Sequence, residues 1–228
     1  MMKKYIFVLC PPFHGSTIIV NLLSSSSKVS SLMSVQQHGE SQWLYKNHGD
    51  TTYEDNRWDP NYNLDMDMVK NIFDIYFDNE KIFFVEKSPP MICRAEKFQE
   101  YFSKFGEVYF IISIRNPYSV NDNNSIQGWV KFAGYQKKNI ETLKNTIVTS
   151  YEEICLHLDN FILKIQKKIP ELDDMKNWDN HLAKNTSFER SKMIHGNKVD
   201  RYINKEEKTQ VLKNNIELLH YFGYEILE

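Results

Sequence analysis

Cysteine is scarce in this sequence, with three residues (Cys10, Cys93 and Cys155) that lie far apart along the chain. An odd and widely spaced set argues against a disulfide framework and favours a reducing compartment. Apolar runs are also short, and none approaches the roughly 20 residues that a membrane span requires. Because Pro11 and Pro12 interrupt the N-terminal apolar run, we expect no signal peptide and a cytoplasmic protein.

An excess of charge of one sign is missing as well, since the formal net charge is −2. This balance gives no electrostatic reason to expect a nucleic acid or an acidic membrane surface as a partner. The length of 228 residues suits a single domain over residues 1–228. Arginine is rare, with five residues among the 28 lysines and arginines, so an arginine that follows a buried strand draws attention.

Apolar runs alternate with segments of helical periodicity along the chain. The runs predict buried strands at residues 5–9, 81–86, 108–114 and 146–150. A last helix is expected over residues 205–221, with Gly223 as its cap and a short edge strand at 224–227. This order predicts an α/β fold, a parallel sheet flanked by helices, in which ligands bind beyond the carboxyl ends of the strands.

The first predicted strand leads into the segment Pro12-Phe-His-Gly-Ser-Thr17, here called the anion loop. Gly15, Ser16 and Thr17 stand where a helix begins, so several backbone N–H groups without helical partners lie around one point. These donors and the helix dipole together favour an anion such as phosphate. Taken alone, such a turn is more often a plain helix cap without a ligand.

Two further predicted strands end in polar clusters. Lys87-Ser-Pro89 follows the second strand and Arg115-Asn-Pro117 follows the third. Because the carboxyl ends of parallel strands lie at one edge of a sheet, Gly15, Lys87 and Arg115 are expected to converge. Each residue alone could equally be a solvated loop residue or a structural ion pair. Together they suit a ligand with more than one anionic group.

In their order and spacing these motifs resemble the sulfotransferases that use 3′-phosphoadenosine 5′-phosphosulfate (PAPS), nearest to the carbohydrate and protein-tyrosine enzymes. The anion loop is similar to the family's Pro-Arg-Ser-Gly-Thr-Thr loop, which holds the 5′-phosphosulfate. Lys87-Ser-Pro89 is similar to its Lys-Ser/Thr/Asp-Pro segment. Arg115-Asn-Pro117 resembles the motif whose arginine binds the 3′-phosphate, and Tyr151-Glu-Glu153 resembles the start of a later helix. The resemblance covers roughly residues 4–165 and implies a P-loop-like nucleotide-binding architecture.

Two departures from the family pattern stand out. Phe13 occupies the place of a basic side chain, and His14, in the place of a serine, is expected to substitute for the missing charge in part. Asn123 stands where the family has a serine that completes the 3′-phosphate site, with Ser125 just beyond it. An asparagine still donates a hydrogen bond, so the second departure is the milder one.

The resemblance implies transfer of a sulfuryl group from PAPS to a hydroxyl of a glycan or small hydroxylated acceptor, with 3′-phosphoadenosine 5′-phosphate (PAP) as product and no metal. Lys87 would steady the leaving oxygen, and the amides of Gly15, Ser16 and Thr17 would hold the 5′-phosphate. A basic segment near the C-terminus would close over the nucleotide through Lys198 and Arg201, for which a run of charges before the last helix is the plain alternative. The acceptor cleft would be formed by residues 28–64, which are polar and irregular in pattern, and by the polar residues 118–145, which have a weak helical pattern.

The reaction also needs a base for the proton of the acceptor hydroxyl. Glu40, in the segment His38-Gly-Glu40, resembles the Gly-Glu segment that supplies the base in the protein-tyrosine enzymes. His14, His38 and His48 are rivals for this role, because a histidine serves in other branches of the family. A solvated surface residue is the plain alternative for each of them.

Two other functions stay open. A P-loop-type kinase would share the sheet and the first loop, but a Walker loop requires a lysine directly before its Ser/Thr, and none follows Gly15. A catalytically silent protein that binds PAP or PAPS is favoured by Phe13, which removes a cation near the transferring group. The acceptor and the oligomeric state are not readable from the sequence.

Overall fold

The computed structural model describes residues 2–36, 38–120, 126–175 and 205–227. Within these ranges the chain forms five strands: β1 Lys3–Leu9, β2 Val29–Ser31, β3 Phe83–Glu86, β4 Gly106–Ile114 and β5 Thr146–Ser150. They make one parallel sheet in the order β2-β3-β1-β4-β5. The chain thus moves from central β1 to one side and then to the other, which opens a crevice at the carboxyl end of β1.

The helices in the described ranges are α1 Ser16–Leu23, α2 Tyr53–Asn56, α3 Met66–Tyr76, α4 Ala95–Phe102, α5 Ile126–Thr142, α6 Tyr151–Leu156, α7 Leu158–Lys168, α8 Lys205–Lys213 and α9 Ile216–Tyr221. Short 3-10 helices occur at Leu32–Ser34, Ser41–Trp43, Lys46–His48, Pro89–Cys93, Pro117–Ser119 and Pro170–Leu172. The predicted α/β fold with a parallel sheet flanked by helices is confirmed.

Side chains of β1 alternate between two apolar layers, as a strand buried on both faces requires. Tyr5 and Phe7 pack on one face of the sheet with residues of α3 and α4. Ile6 and Val8 pack on the other face with residues of α1 and α7. Burial on both faces fixes the register of β1, and with it the position of the loop that follows the strand.

A third apolar cluster holds the C-terminal helices against α5 and the segment after β4. Trp129 of α5 is buried together with Leu212 of α8 and Leu219 of α9. In the same region the buried Lys208 donates from Nζ to the carbonyl oxygens of Val120 (2.6 Å) and Tyr118 (3.4 Å). The C-terminal helices therefore hold the backbone that follows the predicted nucleotide motif at Arg115.

Two expectations for strands need correction. The fifth strand is β2, in a segment that the sequence pattern predicts to be irregular, because three residues ending in two serines carry no apolar signal. The edge strand expected at residues 224–227 is wrong, since these residues belong to no strand. Tyr224, Ile226 and Leu227 instead pack against the third apolar cluster.

Two predicted helices, the one that Tyr151-Glu-Glu153 begins and the one at the C-terminus, are each divided by a residue whose backbone leaves the helical conformation. His157, with φ −138° and ψ 49°, separates α6 from α7. Asn215, with φ −128° and ψ 32°, directly precedes α9 in the predicted C-terminal helix. Gly223 follows α9 with φ 75°, and its N–H donates to the carbonyl of His220, as the sequence predicts for a helix cap.

Candidate active site

The carboxyl ends of β3, β1 and β4 lie side by side. Phe7 of β1 pairs with Glu86, the last residue of β3, and Leu9 of β1 pairs with Ile112, near the end of β4. Lys87, the anion loop and Arg115 therefore leave the sheet at the same edge and from neighbouring strands. This is the crevice in which parallel α/β sheets bind their ligands.

The anion loop turns sharply before α1. Gly15 adopts φ 99° and ψ 16°, and Phe13 also has a positive φ, of 66°. The carbonyl of Gly15 accepts hydrogen bonds from the N–H groups of Ile18 (3.0 Å) and Ile19 (3.3 Å). The N–H groups of Ser16 and Thr17 come before these, at the helix start, where helix geometry supplies no backbone acceptor. Backbone N–H groups at a helix start are donors of the kind that bind anions.

Lys87 joins the anion loop to a second segment of the chain. Its side chain is only 2% exposed, and its Nζ lies 3.3 Å from Oγ1 of Thr17 and 3.3 Å from Oε1 of Glu40. The ammonium group thus lies between the predicted phosphate donors and the predicted base. The carboxylate of Glu40 compensates part of the cost of removing this charge from water.

Glu40 is buried at the start of the 3-10 helix Ser41–Trp43. Its second oxygen, Oε2, accepts hydrogen bonds from Nε2 of Gln42 (2.5 Å) and from Nε1 of Trp43 (3.0 Å). Donors therefore contact both oxygens of the carboxylate, and its position is fixed next to Lys87. Of the candidate bases, Glu40 is the one that contacts Lys87.

Glu86 is a residue to which the sequence pattern assigns no role. Its fully buried carboxylate accepts hydrogen bonds from the N–H of Ser41 (3.2 Å), the N–H of Ser88 (2.8 Å) and the hydroxyl of Ser88. Burial raises the pKa of Glu86. Since Ser41 follows Glu40 and Ser88 follows Lys87, Glu86 holds the segments of both residues in one place. The signal in the sequence is a carboxylate that ends an apolar strand.

Arg115 is buried between the anion loop and α6. Its Nη1 donates to the carbonyl oxygen of Phe13 (3.2 Å), and its guanidinium carbon lies 4.0 Å from the ring centroid of Tyr151. A Cβ at Gly15 would lie 2.8 Å from Cδ2 of the same ring. The tyrosine of the Tyr151-Glu-Glu153 segment therefore packs against both the loop glycine and the strand-end arginine.

The two loop residues that depart from the family pattern lie in opposite environments. Phe13 is 64% exposed. His14 is buried, and neither ring nitrogen has a hydrogen-bond partner in the described part of the chain. Burial, with a smaller effect from Arg115, lowers the pKa of His14 to about 3. The ring is therefore neutral at pH 7, which disfavours the cationic role expected of it.

The other predicted site residues lie elsewhere. His38 is exposed and its ring centroid lies 6.4 Å from that of Trp43, next to Glu40. His48 is hydrogen-bonded through Nε2 to the hydroxyl of Tyr76 (3.2 Å) on α3. The predicted nucleotide contacts Asn123, Ser125, Lys198 and Arg201 lie outside the described residues.

The described ranges hold neither a metal-binding cluster nor a membrane-spanning helix. No group of three or more His, Cys, Asp or Glu side chains is arranged there to hold a metal ion. None of the helices described above has the length and apolar character needed to cross a membrane.

Three solved structures with a similar fold are sulfotransferases or sulfotransferase domains. The sulfotransferase domain of the Synechococcus PCC 7002 olefin synthase matches with a TM-score of 0.62 and 13% identity, covering 99% of this chain and 96% of that one. The sulfotransferase domain from the curacin biosynthetic pathway matches with a TM-score of 0.53 and 15% identity, covering 99% of both chains. Sulfotransferase STF9 from Mycobacterium avium matches with a TM-score of 0.62 and 13% identity, covering 99% of this chain and 78% of that one.

At these identities the likeness establishes the fold, which is that of sulfotransferase domains. No protein-family model matches the chain, and no curated protein matches its sequence. The donor, the acceptor and the roles of individual residues must therefore be inferred from the geometry of the site.

Proposed function

We propose that this protein is a sulfotransferase that moves a sulfuryl group from PAPS to a hydroxyl of a glycan or small hydroxylated acceptor. The observation that carries the proposal is the position of Lys87, whose ammonium contacts both Thr17 of the anion loop and the carboxylate of Glu40. The shared fold with sulfotransferase domains along nearly the whole chain supports it. We propose in addition that residues 1–228 form one domain.

In this proposal the anion loop binds the 5′-phosphosulfate through the N–H groups of Gly15, Ser16 and Thr17. Arg115, whose guanidinium is fixed on the ring of Tyr151, binds the 3′-phosphate. Asn123, Ser125, Lys198 and Arg201 remain proposed contacts of the nucleotide through the family resemblance alone. Two anion sites on adjacent strand ends match a nucleotide that carries negative charge on both sides of its ribose.

The chemistry then divides between two side chains. The bond between sulfur and the 5′-phosphate oxygen breaks while a bond from sulfur to the acceptor oxygen forms, and the proton of the acceptor hydroxyl passes to Glu40. Negative charge develops on the leaving phosphate oxygen, where the ammonium of Lys87 stabilises it. A cation that is already desolvated acts more strongly there than one in water, because the surroundings screen it less.

A catalytically silent binding protein is the second candidate. It is favoured by the exposed aromatic ring of Phe13 at the place of a basic side chain, and by His14, whose neutral ring adds no charge. Such a protein would bind PAPS and PAP through Arg115 and the anion loop without turnover.

Nucleotide binding and transfer are tested separately. PAP at about 100 times its dissociation constant stabilises the folded state by about 2.7 kcal/mol, which should raise the melting temperature by about 5 °C or more. ATP at the same concentration should not raise the melting temperature. Equal stabilisation by ATP would favour the kinase.

Transfer of radiolabelled sulfate from PAPS to a panel of hydroxyl acceptors distinguishes an enzyme from a silent binding protein. If the protein binds the nucleotide but transfers sulfate to none of the acceptors, only the silent protein remains.

A further inference from the structure

A partly exposed tryptophan lies next to the proposed base. Trp43 is 38% exposed, and its Nε1 donates to Oε2 of Glu40 at 3.0 Å. Because the single polar atom of the ring is already bonded, the exposed part of the side chain offers apolar ring surface. A ring surface fixed beside a base suits the flat face of a ring-shaped acceptor.

An arginine lies beside the same tryptophan. The guanidinium carbon of Arg57 is 5.7 Å from the ring centroid of Trp43. Within the described ranges this guanidinium forms no ion pair and donates no hydrogen bond. An arginine carries N–H donors in a planar fork that matches a carboxylate or a sulfate. These donors are available to a ligand that lies on Trp43.

The backbone that carries Arg57 is held rigidly although it is not in a strand or long helix. The buried Arg94 donates to the carbonyl oxygens of Arg57 (2.7 Å), Asn56 (2.9 Å) and Asp59 (2.6 Å). Arg94 directly follows the 3-10 helix Pro89–Cys93, which begins two residues after Lys87. The segment of Arg57 is therefore attached to the same strand end that supplies Lys87, and its position relative to the reacting groups is fixed.

We infer that Trp43 and Arg57 form the acceptor subsite and that the acceptor carries an anionic group, a carboxylate or a sulfate ester, on the ring that is sulfated or on its neighbour. This inference rests on the proposed function. The ring of the acceptor lies on Trp43, its anionic group pairs with Arg57, and its free hydroxyl faces Glu40. Recognition by a planar, otherwise unbonded guanidinium discriminates against neutral acceptors of the same shape.

Three matched compounds test the inference: p-nitrophenyl β-D-glucoside, the corresponding glucuronide, and the glucoside 6-sulfate. They share the aryl group and the ring and differ at carbon 6. Binding is measured by titration calorimetry, with and without PAP, so that the result does not depend on turnover. We expect at least one anionic compound to bind about ten times more tightly than the glucoside, a difference of about 1.4 kcal/mol. The two anionic compounds distinguish a carboxylate from a sulfate.

Variants of Arg57 and Trp43 test whether these residues cause the preference for anionic compounds. Arg57→Gln should abolish it while binding of the neutral glucoside stays unchanged, and Trp43→Ala should weaken all three compounds. Lys104→Gln is the matched control, since it also removes a cation over an aromatic ring, 5.3 Å from the centroid of Tyr101, but precedes β4 at the opposite edge of the sheet. Its binding should equal that of the unaltered protein.

Absence of binding, equal binding of the three compounds, or an unchanged preference in Arg57→Gln would overturn the subsite. Failure of PAP to stabilise the protein would instead contradict the proposed function. Stabilisation by PAP without any anionic preference would contradict the subsite alone, so the two failures are distinguishable.

Discussion

The ammonium of Lys87 and the carboxylate of Glu40 form an ion pair of 3.3 Å in which the two side chains are only 2% and 12% exposed. A buried charge that loses its partner destabilises a protein by about 3–5 kcal/mol, whereas exposed pairs contribute about 1 kcal/mol or less. Any substitution at either residue therefore changes stability as well as the proposed chemistry, and the two effects must be measured separately.

The first prediction concerns this pair. Lys87→Met and Glu40→Gln should each lower single-turnover transfer from PAPS by about 100-fold or more, because one removes the charge on the leaving oxygen and the other the base. Each should also lower the free energy of unfolding in urea by about 3 kcal/mol. The double variant should be less destabilised than the sum of the two, since it leaves no charge unpaired.

The exposed pair of Lys138 and Glu96, at 2.6 Å with side chains 59% and 48% exposed, supplies the control. Lys138→Met should change stability by about 1 kcal/mol or less and leave transfer unaltered. A Glu40→Gln variant with the normal rate would show that another group, such as His38, accepts the proton.

Arg115 is predicted to act on nucleotide binding more than on turnover. Arg115→Ala should weaken PAP binding in calorimetry by at least about 2 kcal/mol, roughly 30-fold, because a buried guanidinium contact to phosphate is lost. Transfer at saturating PAPS should fall much less. Arg115→Lys should be intermediate, since it keeps the charge but not the planar stack on Tyr151, 4.0 Å away. Unchanged affinity in the alanine variant would remove Arg115 from the site.

Gly15 is predicted to be irreplaceable. Its φ of 99° is unfavourable for any other residue, and a Cβ would lie 2.8 Å from Cδ2 of Tyr151. Gly15→Ala should lower the free energy of unfolding by about 1–3 kcal/mol and weaken PAP binding. Gly134→Ala on α5 is the matched control, because its Cβ would meet nothing within 4 Å. That helix position should gain up to about 1 kcal/mol. Equal effects of the two substitutions would contradict the prediction.

The strands that carry the site are predictable because they are apolar runs, and the parallel order follows from their alternation with helices. Helix α5 is harder to predict, since residues 118–145 show only a weak helical pattern. Its core-facing side includes Gln136, whose Nε2 donates to the carbonyl oxygens of Leu9 (2.6 Å) and Ser113 (3.1 Å). A buried amide that bonds to two strands stabilises the fold but interrupts the apolar periodicity on which prediction depends.

The contacts around the predicted site residues are not readable from the sequence. Glu86 joins the segments of Glu40 and Lys87 through hydrogen bonds to backbone N–H groups, and such bonds leave no signal in residue types. The pair of Trp43 and Arg57 depends on the turn around Asp59. Arg94, which is distant in sequence, holds this turn by donating a hydrogen bond to the carbonyl oxygen of Asp59. Local motifs thus identify the groups at the strand ends, while the second half of the site requires the tertiary structure.

The buried His14 is predicted to make the stability of the protein depend on pH. Burial lowers its pKa to about 3 in the folded protein, against about 6.5 in the unfolded chain. Between these values the unfolded chain takes up a proton and the folded protein does not. Above about pH 6.5 the ionisation of His14 therefore takes nothing from the free energy of unfolding. Below this pH the free energy of unfolding decreases by up to about 1.4 kcal/mol per pH unit. Burial raises the pKa of Glu86 from its ordinary value of 4.5. Above pH 4.5 the folded protein therefore keeps a proton that the unfolded chain loses, and the free energy of unfolding decreases as the pH rises.

A substitution isolates the contribution of His14 from that of Glu86. His14→Leu removes a buried ring without hydrogen-bond partners in the described chain, so at pH 7 it should leave stability equal or higher. The advantage of the leucine variant over the unaltered protein should increase from pH 6.5 to pH 5, by about 1.6 kcal/mol in urea unfolding. The exposed His220, as His220→Gln, is the control and should produce no such trend. A pH-independent difference for His14→Leu would mean that the imidazole reaches water or a proton acceptor in solution.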